Sequence, residues 1–152
     1  MACIAAAGCT GGHDVPTNAP STTTVVAPQS SLQEAQEVMG YFNVALPTNA
    51  RDVQVVKPPP ERFRAKALVS FNAPREQVIQ QTCAGFKQVF PNDRPPLINE
   101  SYEGQILQYA DVTINRDEYG FCSQYERGRK VLVLVPRTEG VTHVVLYHVP
   151  AR

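Results

Sequence analysis

Residues 131–135 read Val-Leu-Val-Leu-Val. In a strand, successive side chains point to opposite faces, so five apolar residues in a row put apolar side chains on both. Such a strand sits inside a sheet and has to be covered on both sides. Turn residues bracket it: Arg127-Gly128 before, and Arg137 to Gly140 after. Strand-like runs flank those turns, at Tyr119 to Tyr125 and Val141 to Val149. This spacing is that of an antiparallel meander. Gln105 to Ile114, turned at Asn115-Arg116-Asp117, reads as a further strand leading into it.

Two more strands come earlier in the chain. From Arg62 to Phe71, Phe63, Ala65, Ala67, Val69 and Phe71 alternate with Arg64, Lys66, Leu68 and Ser70. That alternation predicts one buried face and one that is largely wet. Asp52 to Lys57 reads as another strand, ended by Pro58-Pro59-Pro60, because proline cannot donate to a ladder. Between these strands and the meander, Asn72-Ala73-Pro74 opens the main helix, with Asn72 as N-cap. Its apolar stripe runs Val78, Ile79, Cys83, Phe86 and Val89. A loop is expected from Pro91 to Gly104. A short amino-terminal helix is expected from the capping box Ser31-Leu32-Gln33-Glu34, with Gly40 as its stop. The expected fold is α+β: an antiparallel sheet of about five to six strands with one main helix on one face, in the order strand, strand, helix, meander.

At 152 residues, of which 43% are hydrophobic, the chain has room for one domain with a real core. Its 14 basic and 14 acidic residues balance, which points away from nucleic acid as a bulk electrostatic partner. No run approaches the roughly 18 to 20 apolar residues that span a bilayer.

The amino terminus carries the strongest motif. Ala6-Ala7-Gly8-Cys9 places small residues before a cysteine. It resembles the lipobox of bacterial lipoproteins. The resemblance implies that the Cys9 sulfur takes a diacylglycerol and that the peptide is cut just before it. Small side chains let a peptidase close around the backbone, and a thiolate is the nucleophile that accepts the lipid. Ala6 stands where leucine is commoner, and the preceding apolar run, Cys3 to Ala7, is shorter than a usual signal core. Met1 is therefore read as lying inside a longer signal peptide. Residues 10–30 are rich in Thr, Ser, Pro and Gly, with the composition of a tether. The organisation expected is a lipobox segment over 1–9, a tether over 10–30 and one domain over 31–152.

Four cysteines occur, at 3, 9, 83 and 122. The first two belong to the processing segment. Cys83 and Cys122, an isolated pair in a chain read as exported, are expected to form one disulfide. Their spacing is neither that of a redox CxxC motif nor that of a zinc site.

No nucleophile elbow or phosphate loop appears, so no catalytic residues, cofactor or metal are expected. His143 and His148 fall on opposite faces of one strand. His143 is a conceivable general base, but a solvated edge histidine is the better reading. Lys66 shares its wet strand face with Arg64, and with Arg129-Lys130 nearby in the sheet the basic residues suggest a patch for an acidic partner or lipid headgroups. Tyr119, Phe121 and Tyr125 share strand parity, either as core or as a binding surface.

The expected function is that of a binding or accessory module, such as an envelope adaptor, assembly factor or immunity-type protein. The expected location is the extracytoplasmic face of a cell membrane, held by lipid on Cys9, with a protein partner; a secreted or periplasmic chain is the alternative location. The alternative functions are a small extracytoplasmic hydrolase and a lipid or small-molecule carrier with a cavity under the main helix.

Overall fold

The computed structural model describes residues 28–59, 65–98 and 101–149. The lipobox, Cys9, most of the expected tether and Arg64 lie outside the described residues.

The elements run α1 (Pro28–Tyr41), β1 (Arg51–Val56), β2 (Ala65–Asn72), α2 (Arg75–Gln77) continuing into a π-helical turn (Val78–Thr82), β3 (Gln88–Phe90), α3 (Tyr102–Tyr109), β4 (Tyr119–Glu126), β5 (Arg129–Pro136) and β6 (Val141–His148). The fold is α+β. Its six strands form one sheet in the order β1-β2-β6-β5-β4-β3, and every neighbouring pair is antiparallel.

The Val-Leu-Val-Leu-Val run is β5, paired on both edges. Val131, Val133 and Val135 join the core beneath α1 and the π-helical turn, with Met39, Phe42, Phe71 and Val78. Leu132 and Leu134 join a second core on the other face, with Ile98, Ile106, Leu107 and Tyr147. The double burial follows from the absence of any polar residue in the run.

The helices depart from the sequence expectations. Helix α1 begins at Pro28, so Ser31 lies inside it rather than capping it. It stops beyond Gly40 through Asn43, which takes the left-handed conformation at φ 58°. The Asn43 amide donates to the Gly40 carbonyl and the Val44 amide to the Met39 carbonyl, both at 3.0 Å. These are the two bonds of a Schellman cap. The expected main helix is short. After the π-helical turn the Cys83 amide still donates to the Val78 carbonyl, and Gly85 at φ 77° then reverses the chain. Val89, expected on the helical stripe, lies in edge strand β3 opposite Cys122.

The expected strand Gln105 to Ile114 is corrected to helix α3, followed by a turn and a segment without regular secondary structure. Ser101 caps α3 by accepting from the Gly104 amide at 3.3 Å. Glu103, Ile106, Leu107 and Ala110 fall at i, i+3, i+4 and i+7, which is helical spacing. The helix ends with a second Schellman cap: Asp111 is left-handed at φ 57°, and the Val112 amide donates to the Leu107 carbonyl at 2.8 Å. Helix α3 covers the sheet face opposite α1, so both faces carry a helix.

Candidate functional sites on the two sheet faces

Cys83 ends the π-helical turn and Cys122 lies in β4. Their sulfurs are bonded at 2.05 Å across a separation of 39 residues, so the expected disulfide is present. Beside it the Pro91 backbone packs directly on Gly120, where a Cβ would sit 1.9 Å from the Pro91 carbonyl oxygen. That carbonyl accepts from Arg75 Nη2 at 2.9 Å.

On the α3 face, Lys130 and Tyr147 stand opposite each other on β5 and β6. Glu103 reaches down to both from the first turn of α3. The Tyr147 hydroxyl donates to Glu103 Oε1 at 2.5 Å, and Lys130 Nζ lies 3.2 Å from the same oxygen. Burial pushes the Glu103 carboxyl pKa up, but the Tyr147 hydroxyl, a backbone amide, the Ser101 side chain and Lys130 together outweigh it, so the net shift is downward. Burial and the neighbouring carboxylate raise the Tyr147 pKa strongly. The carboxylate therefore stays ionised and the phenol stays neutral. That polarity suits a fixed hydrogen bond rather than a general acid or a phenolate nucleophile. An open cleft of about 570 Å³ borders the group.

His143 is corrected from solvated edge to core. β6 lies between β2 and β5, and His143 is only 7% exposed. Its Nδ1 hydrogen-bonds the Ser70 hydroxyl at 2.8 Å, and burial depresses its pKa to about 4. A serine–histidine contact invites comparison with a nucleophile and base, an arrangement in which a third group commonly orients the imidazole. Among the described residues no carboxylate hydrogen bond or ion pair to His143 is present. No group of three or more metal-ligating side chains is found among the described residues either.

Among the described surface candidates, Lys66 lies apart from the three aromatic residues. Tyr119, Phe121 and Tyr125 share the α3 face of β4. Tyr119 and Phe121 pack against the second core, and the Tyr119 hydroxyl donates to the Val141 carbonyl at 3.2 Å. Phe121 meets Phe90 of β3 with ring centroids 5.4 Å apart. Tyr125 is 60% exposed.

Lys66 goes elsewhere. The β2–β6 register shifts between Ala65 and Ala67, and Lys66 Nζ comes to lie 5.7 Å from the centroid of the Tyr41 ring at the end of α1. The Arg129 guanidinium lies 4.6 Å from the same centroid. The His148 ring packs on Tyr41 at 5.8 Å, which puts His148 on the α1 side and His143 on the α3 side, as strand parity requires. Tyr41, whose carbonyl accepts from Arg129 Nη1 at 2.5 Å, is thus the centre of a cationic cluster. The sequence pattern suggested Lys66 and Arg129 as neighbours but carried no signal for Tyr41, which meets them only through the tertiary fold.

Among the described residues no helix is long and apolar enough to cross a membrane. No protein-family description, curated protein or solved structure matches the chain.

Proposed function

We propose that the protein is an exported binding or accessory module, held at the extracytoplasmic face of a membrane by a lipid on Cys9. The observation that carries this reading is the Cys83–Cys122 disulfide, which joins the π-helical turn to the sheet. Structural disulfides persist in oxidising compartments and are rare in the cytosol. The lipobox-like Ala6-Ala7-Gly8-Cys9 and the Thr/Ser/Pro/Gly-rich stretch after it support the same location from the sequence alone. The binding role is supported by the character of the buried polar groups. Glu103, Tyr147 and His143 are each held in a protonation state that fixes structure, and Tyr41, Lys66 and Arg129 gather at one exposed corner.

Fractionation of cells expressing the protein from its native locus tests the reading. The wild-type chain is expected in the membrane fraction, labelled by an alkyne-bearing palmitate fed to the culture. Cys9→Ser is expected to lose the label and leave that fraction. An unlabelled wild-type chain recovered in the cytosol would overturn the proposal.

A further inference from the structure

The three cations at the Tyr41 corner outnumber its one carboxylate, Glu126, which stands opposite Arg129 in the β4–β5 pairing. Lys66 and Arg129 lie over one ring. Arg127, on the β4–β5 turn, lines a cleft of about 430 Å³ with Tyr41 and Arg129. Glu126 lies on the same rim, but its carboxylate accepts from Gln124 Nε2 at 3.2 Å. No carboxylate of the described residues is within ion-pair distance of Lys66, Arg127 or Arg129. The chain as a whole is neutral, so the cluster does not follow from bulk charge. Two cations over one aromatic ring repel each other, and the ring quadrupole offsets this only in part. The Tyr41 carbonyl at the end of α1 takes one bond from Arg129, and neither Lys66 nor Arg127 forms an ion pair among the described residues. Tyr41 itself is 48% exposed and presents an amphipathic ring between the charges.

We propose that this corner docks on the anionic phospholipid headgroups of the membrane that carries the anchor. Lys66, Arg127 and Arg129 meet lipid phosphates, and the Tyr41 ring sits at headgroup level. The inference rests on the lipid-anchored reading and adds an orientation to it. Helix α1 has 14 residues and so is about 21 Å long, with Pro28 at one end and Tyr41 at the other. The covalent chain from Cys9 to Pro28 can extend to at most roughly 65 Å. That exceeds the helix length, so an anchored domain can lay its Tyr41 end on the same bilayer. Once one lipid is inserted, a weak electrostatic contact acts at high local concentration.

The test uses the full chain carrying Cys9→Ser, so that no lipid contributes, and flotation with phospholipid vesicles. Binding is expected to phosphatidylcholine vesicles containing about 30 mol % phosphatidylglycerol and not to phosphatidylcholine alone. It should fall steeply between about 0.1 and 0.5 M salt. Neutralising Lys66 and Arg127 together (K66Q/R127Q) should weaken binding about 25-fold, at about fivefold for each cation. Arg51→Gln, at the opposite end of the sheet, should leave it unchanged. Equal binding to both vesicle types, no binding to either, or no response to K66Q/R127Q would overturn the proposal. So would capture of an acidic envelope protein through Lys66 and Arg127 with no vesicle binding. A wild-type chain that takes the palmitate label while its Cys9→Ser form ignores anionic vesicles would leave the anchor standing and remove only the docking.

Discussion

The Tyr147 hydroxyl and the Glu103 carboxylate meet at 2.5 Å across the interface between α3 and the sheet. Glu103 is 6% exposed, so losing this donor leaves a buried carboxylate with only Ser101 and Lys130 as side-chain partners. Hydrogen bonds to charged groups contribute about 1.5–3 kcal/mol. Tyr147→Phe is expected to cost that much in urea unfolding at neutral pH. The linkage sign follows from the lowered Glu103 pKa. Its contribution is present above pH 4.5, the ordinary value, and is lost as pH falls through the depressed folded value. The mutant's deficit should therefore shrink in acid. A deficit that holds constant down to pH 3 would contradict the assignment.

His143 gives a second, separate pH window. Its pKa is pushed down to about 4 from an ordinary 6.5. The fold favours the neutral ring, so the associated stability is fully present above pH 6.5 and is lost as pH falls toward 4. A shift of this size corresponds to roughly 3 kcal/mol. Urea midpoints measured from pH 7 to pH 4 should fall in the wild type, and the slope should flatten in His143→Leu. An NMR titration placing the His143 midpoint near 6.5 would refute the buried assignment.

Gly120 has no room for a side chain because the Pro91 carbonyl occupies the Cβ position. Gly120→Ala is expected to displace the Pro91 turn and break its bond from Arg75, at a cost of about 2–4 kcal/mol. Gly40→Ala, in α1 with nothing within 4 Å of its Cβ position, should stabilise by up to about 1 kcal/mol. Equal effects from the two substitutions would show that the close approach at Gly120 is wrong.

Reading these elements from sequence succeeded where burial leaves a local pattern. β5 was legible because both its faces are buried and every residue of the run is apolar. Cys83 and Cys122 were legible as an isolated pair. α3 was not, because Val112 and Ile114 alternate just after it and blur the helical spacing of Glu103, Ile106 and Leu107. β3 has three residues, and its place depends on pairing with β4, which no local pattern announces. The caps of α1 and α3 use Asn43 and Asp111 at left-handed positions where glycine is the usual signal. At the candidate surface, the register shift beside Lys66 turned a residue assigned to one face toward Tyr41 on the other. His143 looked exposed because the cover above it comes from distant parts of the chain.

The disulfide closes a loop of 39 residues' separation, for which the chain-entropy relation gives about 4 kcal/mol. Cys83→Ser/Cys122→Ser should lower the thermal midpoint by roughly 15 °C. A change within a few degrees would mean that the bond adds little to the fold.

The central claim is the exported, lipidated state, and the mass of the amino-terminal peptide of protein purified from its native membranes tests it most directly. The account predicts a peptide that begins at Cys9 and carries a diacylglyceryl thioether, from a chain whose Cys83 and Cys122 resist alkylation until reduced. An unmodified Cys9 inside a longer amino-terminal peptide, with Cys83 and Cys122 alkylated without reduction, would contradict it.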